Sequence, residues 1–422
     1  MSRPGPVDRV RQTRRLLRTE GYAGVGARLA NRLSNRISPP GSGKLRIARA
    51  DVERAAEIAA AGWTLPPPIH AEPGEPLTIA WLATTPAPGS GGHTTMFRLV
   101  SALERAGHRC VVYLLDEDGW PLAQHEQTIR SWWPHVKAEV RDAADGIEDA
   151  HAIFATAWET AYPVLASPAR GTRFYLVQDF EPSFYPAGSR SLLAEATYRF
   201  GFHHVTAGQW LSQLLRREYG VPADHFDFGR DLTYRLDASV GPEQRTGVCF
   251  YSRPDTARRA HELSVLALDL FAKRHPEVDI HLYGLEARRL PFPAINHGLQ
   301  TPAQLNELYN RCIAGLSLSA TNVSLVPHEM LAAGCVPVVN DAEHNRIVLD
   351  NPQVAYAPAT PFELAAKLCE LVERPAVERQ KAAEAAAASV QGASWDTAGA
   401  EVVRIVERVV ANATRPRVLR AS

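Results

Sequence analysis

The sequence predicts an α/β protein made of two Rossmann-like halves facing a cleft, with a helical extension in front. Three observations lead there. The chain has 422 residues, too many for one ordinary domain, and its 45% apolar and 22% charged residues match a globular composition. From residue 77 onward, short apolar runs bounded by Pro or Gly alternate with stretches of helical periodicity. The alternation starts afresh near residue 247, so two sheets of similar size are expected.

The first elements lie in a basic segment. Residues 1–46 hold ten Arg and Lys44 against Asp8 and Glu20, a net of +9 in a chain whose 46 basic and 46 acidic residues otherwise cancel. Val25, Leu29, Leu33 and Ile37 recur every four residues, which predicts helix over 8–37. SPPGSGK (38–44) breaks it, a second helix is expected over 49–61, and the link 65–76 is rich in Pro. The segment 1–46 either rests on an anionic membrane surface or forms a solvated, domain-packing helix pair.

Strands are expected at LTIAWLA (77–83), HRCVVYLL (108–115), AIFATAW (152–158), RFYLVQD (173–179) and HHVTAG (203–208), with helices between them. The second series reads GVCFYSR (247–253) strand, 258–274 helix, VDIHLYG (278–284) strand, LNELYNRC (305–312) helix and AGLSLSA (314–320) strand. HEMLAAG (328–334) helix, VPVVND (336–341) strand and helices over 377–390 and 396–411 complete it. The expected domains are a basic extension 1–65, an N-terminal Rossmann-like domain 76–240 joined by the C-terminal helix 396–422, and a C-terminal one 243–395.

Several function classes are excluded at this stage. No run of about 18 apolar residues spans a membrane, and the N-terminus lacks the apolar core of a signal peptide. A balanced charge argues against a nucleic-acid binder. The five cysteines, Cys110, Cys249, Cys312, Cys335 and Cys369, lie too far apart for a CxxC pair and read as buried thiols of a cytoplasmic protein.

Four stretches carry chemistry. Gly89-Ser90-Gly91-Gly92 follows the first strand, where glycines let the backbone approach a ligand; the same residues also suit a plain strand-helix turn. Gln178-Asp179-Phe180-Glu181-Pro182-Ser183-Phe184-Tyr185 sets carboxylates and aromatics at the carboxyl end of a parallel strand, where open α/β sheets bind ligands. Their alternative use is a core-packed loop. Arg253 ends another strand, followed by Arg258 and Arg259, and a guanidinium binds phosphate bidentately. Thr321 to Glu329 leads a polar loop into a helix, with amides for a phosphate and a carboxylate for sugar hydroxyls. Asp116-Glu117-Asp118 has the D-x-D form of a metal ligand pair, but its neighbours read as a solvated acidic turn.

In this order the elements resemble family 4 retaining glycosyltransferases of the GT-B fold, most nearly the bacterial rhamnosyltransferases of the WsaF type. PGSGGHTTMFRLVSAL (88–103), FYLVQDFEPSFYPAGS (174–189), TAGQWL (206–211), FYSRPDTARRAHEL (250–263) and SLVPHEMLAAGCVPVVND (324–341) carry the resemblance. It implies a nucleotide-sugar donor, with dTDP-rhamnose the best match, in the C-terminal domain. A glycan or lipid-linked glycan acceptor would sit in the N-terminal domain, at the inner face of the cell membrane. Arg253 would bind the diphosphate, helped by Arg258 or Arg259 where relatives have Lys. The amides of Ser324, Leu325 and Val326 would hold phosphates, Glu329 the ribose, Leu299 the base loop, and Gly91 and Gly92 the donor-facing turn. Asp179 would serve in catalysis and Gln178, Glu181 and Tyr185 would meet the acceptor. No metal or other cofactor is implied. The chain departs from the pattern at Thr321, where the family's first acid stands eight residues before Glu329. Three rival readings share parts of this architecture: a sugar-nucleotide epimerase, a Rossmann oxidoreductase lacking GxGxxG, and a glycan-binding subunit without catalysis.

Overall fold

The computed structural model describes residues 45–413 apart from 73, 88, 117–118 and 285–288. The helix expected over 8–37 and the membrane contact expected of residues 1–46 therefore fall outside the described residues, save 45 and 46. The second expected helix is present as Arg49–Ala60.

Seven parallel strands make the first sheet: β1 (Thr78–Thr84), β2 (Arg109–Leu115), β3 (Glu139–Asp142), β4 (Ala152–Ala155), β5 (Thr172–Val177), β6 (His203–Ala207) and β7 (Ala223–Phe226). Their order is β3-β2-β1-β4-β5-β6-β7. Six more make the second: β8 (Gly247–Ser252), β9 (Ile280–Gly284), β10 (Ile295–Asn296), β11 (Cys312–Leu316), β12 (Val336–Asn340) and β13 (Ala355–Ala357). They run β10-β9-β8-β11-β12-β13. Each sheet reverses its direction of winding beside its first strand, between β1 and β4 and between β8 and β11. Crevices open outside the carboxyl ends at such points, so the topology alone places two half-sites.

The apolar runs form the sheets because both faces are covered by helices. In the first sheet Trp81 pairs with Phe154, and Phe154 with Phe174, in strict cross-strand register. Their rings stack at 4.1 and 4.7 Å, all fully buried, and this contiguous aromatic row fixes the register of β1, β4 and β5. In the second lobe the buried Arg245 donates to the carbonyls of Tyr309, Cys312, Ala333 and Gly334 and to Asn310 Oδ1. One side chain thus ties the entry to β8 to the ends of two helices.

The last helix, Trp395–Ala411, returns to the first lobe. Gly399 lets it cross helix Gly91–Arg105 closely, since a Cβ there would meet the Cβ of Ala102 at 2.5 Å. Arg105–Asp396, His108–Glu407 and Arg408–Asp224 pairs line the seam.

Three expected elements are corrected. The helix foreseen from 258 begins at His261, because Ala257–Arg259 forms a 3-10 turn and Ala260 turns left-handed at φ +47°. Arg258 and Arg259 are therefore held in a bend instead of on a helix face. The strand foreseen over 314–320 stops at Leu316, and the chain from Ser317 is taken up by loop contacts: Ser317 N donates to Val338 O, and Ser319 N to Asn340 Oδ1. The strand foreseen over 152–158 ends at Ala155, where Thr160 Oγ1 accepts from the amides of Thr156 and Ala157.

Candidate active site

A cavity of about 610 Å³ lies between the carboxyl ends of the two sheets. From the first lobe it is lined by Gly89–Gly92, Thr156, Ala157 and the loop from Gln178 to Phe184; from the second, by Tyr251, Arg253, Arg258, Arg259, Tyr283, Leu299, the loop Val323–Val326 and Glu329. Every site residue expected from the sequence lines it except Tyr185.

The glycine turn is built by its cap. Ser90 Oγ accepts from His93 N at 3.4 Å and contacts His93 Nδ1 at 3.0 Å, while Gln178 Nε2 donates to Gly92 O at 3.1 Å. Gly89 has φ +76°, a conformation that L side chains rarely adopt. Backbone rather than side chain consequently faces the ligand space on this side.

In the loop that follows β5, the two residues Glu181 and Tyr185 expected to meet an acceptor are held by contacts within the protein. Glu181 is buried, with Oε2 accepting from Trp158 N at 2.7 Å and Oε1 from Tyr175 Oη at 2.8 Å, while its own amide donates to Tyr198 Oη at 3.1 Å. Both carboxyl oxygens are thus engaged by the protein's own groups, although the residue borders the cavity. Tyr185 points away from the cavity: its hydroxyl accepts from Trp158 Nε1 at 3.0 Å and lies 3.5 Å from Glu159.

Burial pushes the Glu181 carboxyl from its ordinary 4.5 up to about 8, which gives a stability prediction. A folded-state pKa above the unfolded one means that the folded state binds the proton more tightly. The associated stability is complete below pH 4.5 and is lost as pH climbs through about 8. Glu181→Gln should therefore lose less Tm than the wild type between about pH 5 and about pH 8. Thermal melts across that range check it, and parallel curves would refute it.

Asp179 is also spoken for. Its Oδ1 accepts from Phe180 N at 2.9 Å and from Asn322 N at 2.8 Å, and its other oxygen pairs with Arg258 Nε at 3.1 Å. Asn322 Nδ2 donates to Gln178 O at 2.9 Å and Ala207 O at 2.8 Å. The Arg258 guanidinium lies 4.3 Å over the Phe184 ring. These contacts cross from one lobe to the other, so Asp179 fastens the closed cleft.

On the second lobe, Arg253 leaves the end of β8 with its Nε donating to Tyr251 Oη at 2.7 Å. Arg259 Nη1 donates to Ser319 Oγ at 3.0 Å, and Ser319 Oγ to Asn322 O at 2.6 Å. Glu329 sits deeper, beside the Tyr234 hydroxyl. Burial pushes its carboxyl up to about 7, opposed by the Arg98 charge; Arg98 is itself bound to Asp231 at 2.8 Å. Thr321 is buried and stands off the cavity. Leu299 and Gln300 border the rim.

Asp116 accepts from Trp120 N at 2.7 Å and lies 3.6 Å from His125, while 117–118 are outside the described residues. Among the described residues, His275, Cys369 and Glu373 are grouped closely enough to share an ion, away from the cleft. Both nitrogens of His275 already meet carboxylates, Glu277 and Glu373, each at 3.1 Å.

Residues 246–369 match the family described as "WsaF, C-terminal domain". Solved structures extend the likeness over both lobes. Anabaena Alr3699/HepE, in complex with UDP and glucose, superposes with TM-score 0.61 at 14% identity over 79% of this chain and 99% of that one. S. aureus TarM, in complex with fondaparinux, α-GlcNAc-glycerol and UDP, gives TM-score 0.64 at 8% identity over 80% and 100%. WaaG, a glycosyltransferase involved in lipopolysaccharide biosynthesis, gives 0.56 at 13% over 78% and 99%.

The fold is GT-B.

By sequence, the chain is 33% identical over 272 residues to the O-antigen biosynthesis protein RfbC of Myxococcus xanthus. That stretch is 62% of this chain and 21% of RfbC, so the chain spans about a fifth of that relative.

Several site residues were not foreseen. Tyr251 was legible, since it lies two positions before Arg253 in the run expected as a strand over 247–253. Asn322, Tyr234 and Arg98 act through contacts between segments far apart in sequence, and no local pattern marks them.

Proposed function

We propose that this chain is a glycosyltransferase that moves a sugar from a nucleoside diphosphate to a glycan acceptor in the assembly of a surface polysaccharide. The observation that carries this reading is the convergence of Arg253, Arg258 and Arg259 with the loop Val323–Val326 on one cavity, opposite the glycine turn and the loop after β5. Three guanidiniums beside a loop that leads into a helix suit a diphosphate, and the far wall leaves room for a second substrate. The relatives named above, in O-antigen and lipopolysaccharide synthesis, support the same class.

The donor diphosphate lies on Arg253 and the loop amides, and its ribose on Glu329. Cleavage of the sugar–phosphate bond leaves negative charge on the diphosphate, which these groups stabilise. The acceptor hydroxyl attacks from the departing side, gives its proton to a phosphate oxygen, and the configuration at the sugar is retained. Of the donors the family resemblance suggests, dTDP-rhamnose is the first to try. The residues present supply the charge stabilisation without a metal ion. Among the described residues no helix is long and apolar enough to cross a membrane; a lipid-linked acceptor would be met at the cytoplasmic face.

UDP and dTDP should each be tried for a rise in Tm, because a ligand of the native state stabilises it. Glu329→Ala should weaken the bound nucleotide by about tenfold, the loss of charge-assisted hydrogen bonds, while leaving the KM of the acceptor unchanged. EDTA should leave transfer intact. Strict metal dependence, or unchanged nucleotide affinity in Glu329→Ala, contradicts the assignment. A second reading has its own support: a UDP-N-acetylglucosamine 2-epimerase described as putative, from Listeria monocytogenes, shares the fold at TM-score 0.53. Product formed from donor alone, with no acceptor, would favour it.

A further inference from the structure

The Tyr251 hydroxyl is the acceptor for Arg253 Nε, at 2.7 Å. Tyr251 is the last residue but one of β8, and Arg253 is the first residue beyond the strand, two positions further on. The phenol is itself held. Tyr251 pairs with Tyr283 across β8 and β9 in register, and their rings stack at 5.4 Å with 24° between planes. Tyr283 Oη in turn accepts from Tyr309 Oη at 2.8 Å, and Tyr309 is fully buried. The hydroxyl is thus fixed by a row of three tyrosines rooted in the core of the lobe.

An arginine offers an oxyanion two bidentate edges, one formed by Nε and a terminal nitrogen, the other by both terminal nitrogens. With Nε–H engaged by the phenol, only the second edge remains for the cavity. Among the described residues neither terminal nitrogen has a hydrogen-bond partner, and Arg253, Tyr251 and Tyr283 all line the same cavity.

We infer that Tyr251 is a positioning residue: its hydroxyl selects the edge of Arg253 that meets the donor diphosphate. This rests on the reading of the cleft as a nucleoside-diphosphate site. The benefit is preorganisation, since the guanidinium does not have to be ordered when the ligand arrives.

Calorimetry with UDP and UMP, or with dTDP and dTMP if those bind more tightly, tests it in four proteins: wild type, Tyr251→Phe, Arg253→Ala and the double variant. Phenylalanine keeps the ring and the stack on Tyr283, so Tm should not change. The expected result is a roughly tenfold weaker diphosphate in Tyr251→Phe, an unchanged monophosphate, and no further loss when Tyr251→Phe is added to Arg253→Ala. Three results would overturn the inference: unaltered diphosphate affinity, equal losses for both nucleotides, or the same loss in the Arg253→Ala background. A wild type that binds neither diphosphate would instead bring down the reading of the cleft itself, and the inference with it.

Discussion

Arg253→Ala is expected to slow sugar transfer by about 10²–10³-fold, the usual cost of removing one donor aimed at developing negative charge. The residue directly follows β8, a central strand of the second sheet, its aim is set by Tyr251, and it lines the cavity rather than packing the core. Loss of the guanidinium should therefore leave Tm close to the wild-type value. Arg258 and Arg259 cannot replace it. The first is paired with Asp179 and stacked on Phe184, and the second is bound to Ser319. Single-turnover kinetics with saturating donor would separate the chemical step from binding. Transfer within a few-fold of wild type would remove Arg253 from the mechanism.

Asn322→Ala should act on the cleft instead of the chemistry. The wild-type amide satisfies two carbonyls of the other lobe, Gln178 O and Ala207 O. In the closed form alanine leaves both unpaired, at about 1–3 kcal/mol each, whereas in an open form water satisfies them. The ratio of closed to open forms should fall at least tenfold, since about 1.4 kcal/mol is a factor of ten in an equilibrium constant. Small-angle scattering should report a larger radius of gyration for the variant without ligand. kcat/KM should fall at least tenfold, because the donor and acceptor walls no longer meet. An unchanged scattering curve together with unchanged kcat/KM would mean that the contact is incidental.

Much of the fold is written locally. β1, β2 and β8 are runs of apolar residues bounded by turns, and their helices carry the matching period, so both sheets could be drawn in advance. The strands that escaped are peripheral or short. β3 reads Glu-Val-Arg-Asp and β7 reads Ala-Asp-His-Phe, both half-polar edge strands without an apolar run. β10 has only two residues, both exposed. Helix starts were misplaced where backbone geometry overrides propensity, as at Ala260.

The site divides in the same way. Arg253, the glycine turn and the loop Ser324–Val326 were legible because strand ends and turns are where α/β sheets expose backbone and charge. The uses of Glu181 and Asp179 were not. Their type suits sugar hydroxyls, yet Tyr175, Trp158, Arg258 and Asn322 claim them, and those partners come from distant segments. A carboxylate at a strand end is equally suited to a ligand and to the protein's own amides, and only the assembled fold decides between them.

A crystal of this protein soaked with UDP or dTDP tests the central claim most directly. The account predicts the diphosphate against the terminal nitrogens of Arg253 and the amides of Ser324–Val326, with the ribose hydroxyls on Glu329. A nucleotide bound outside the cleft, or lying in it with its phosphates turned away from Arg253, would contradict the account.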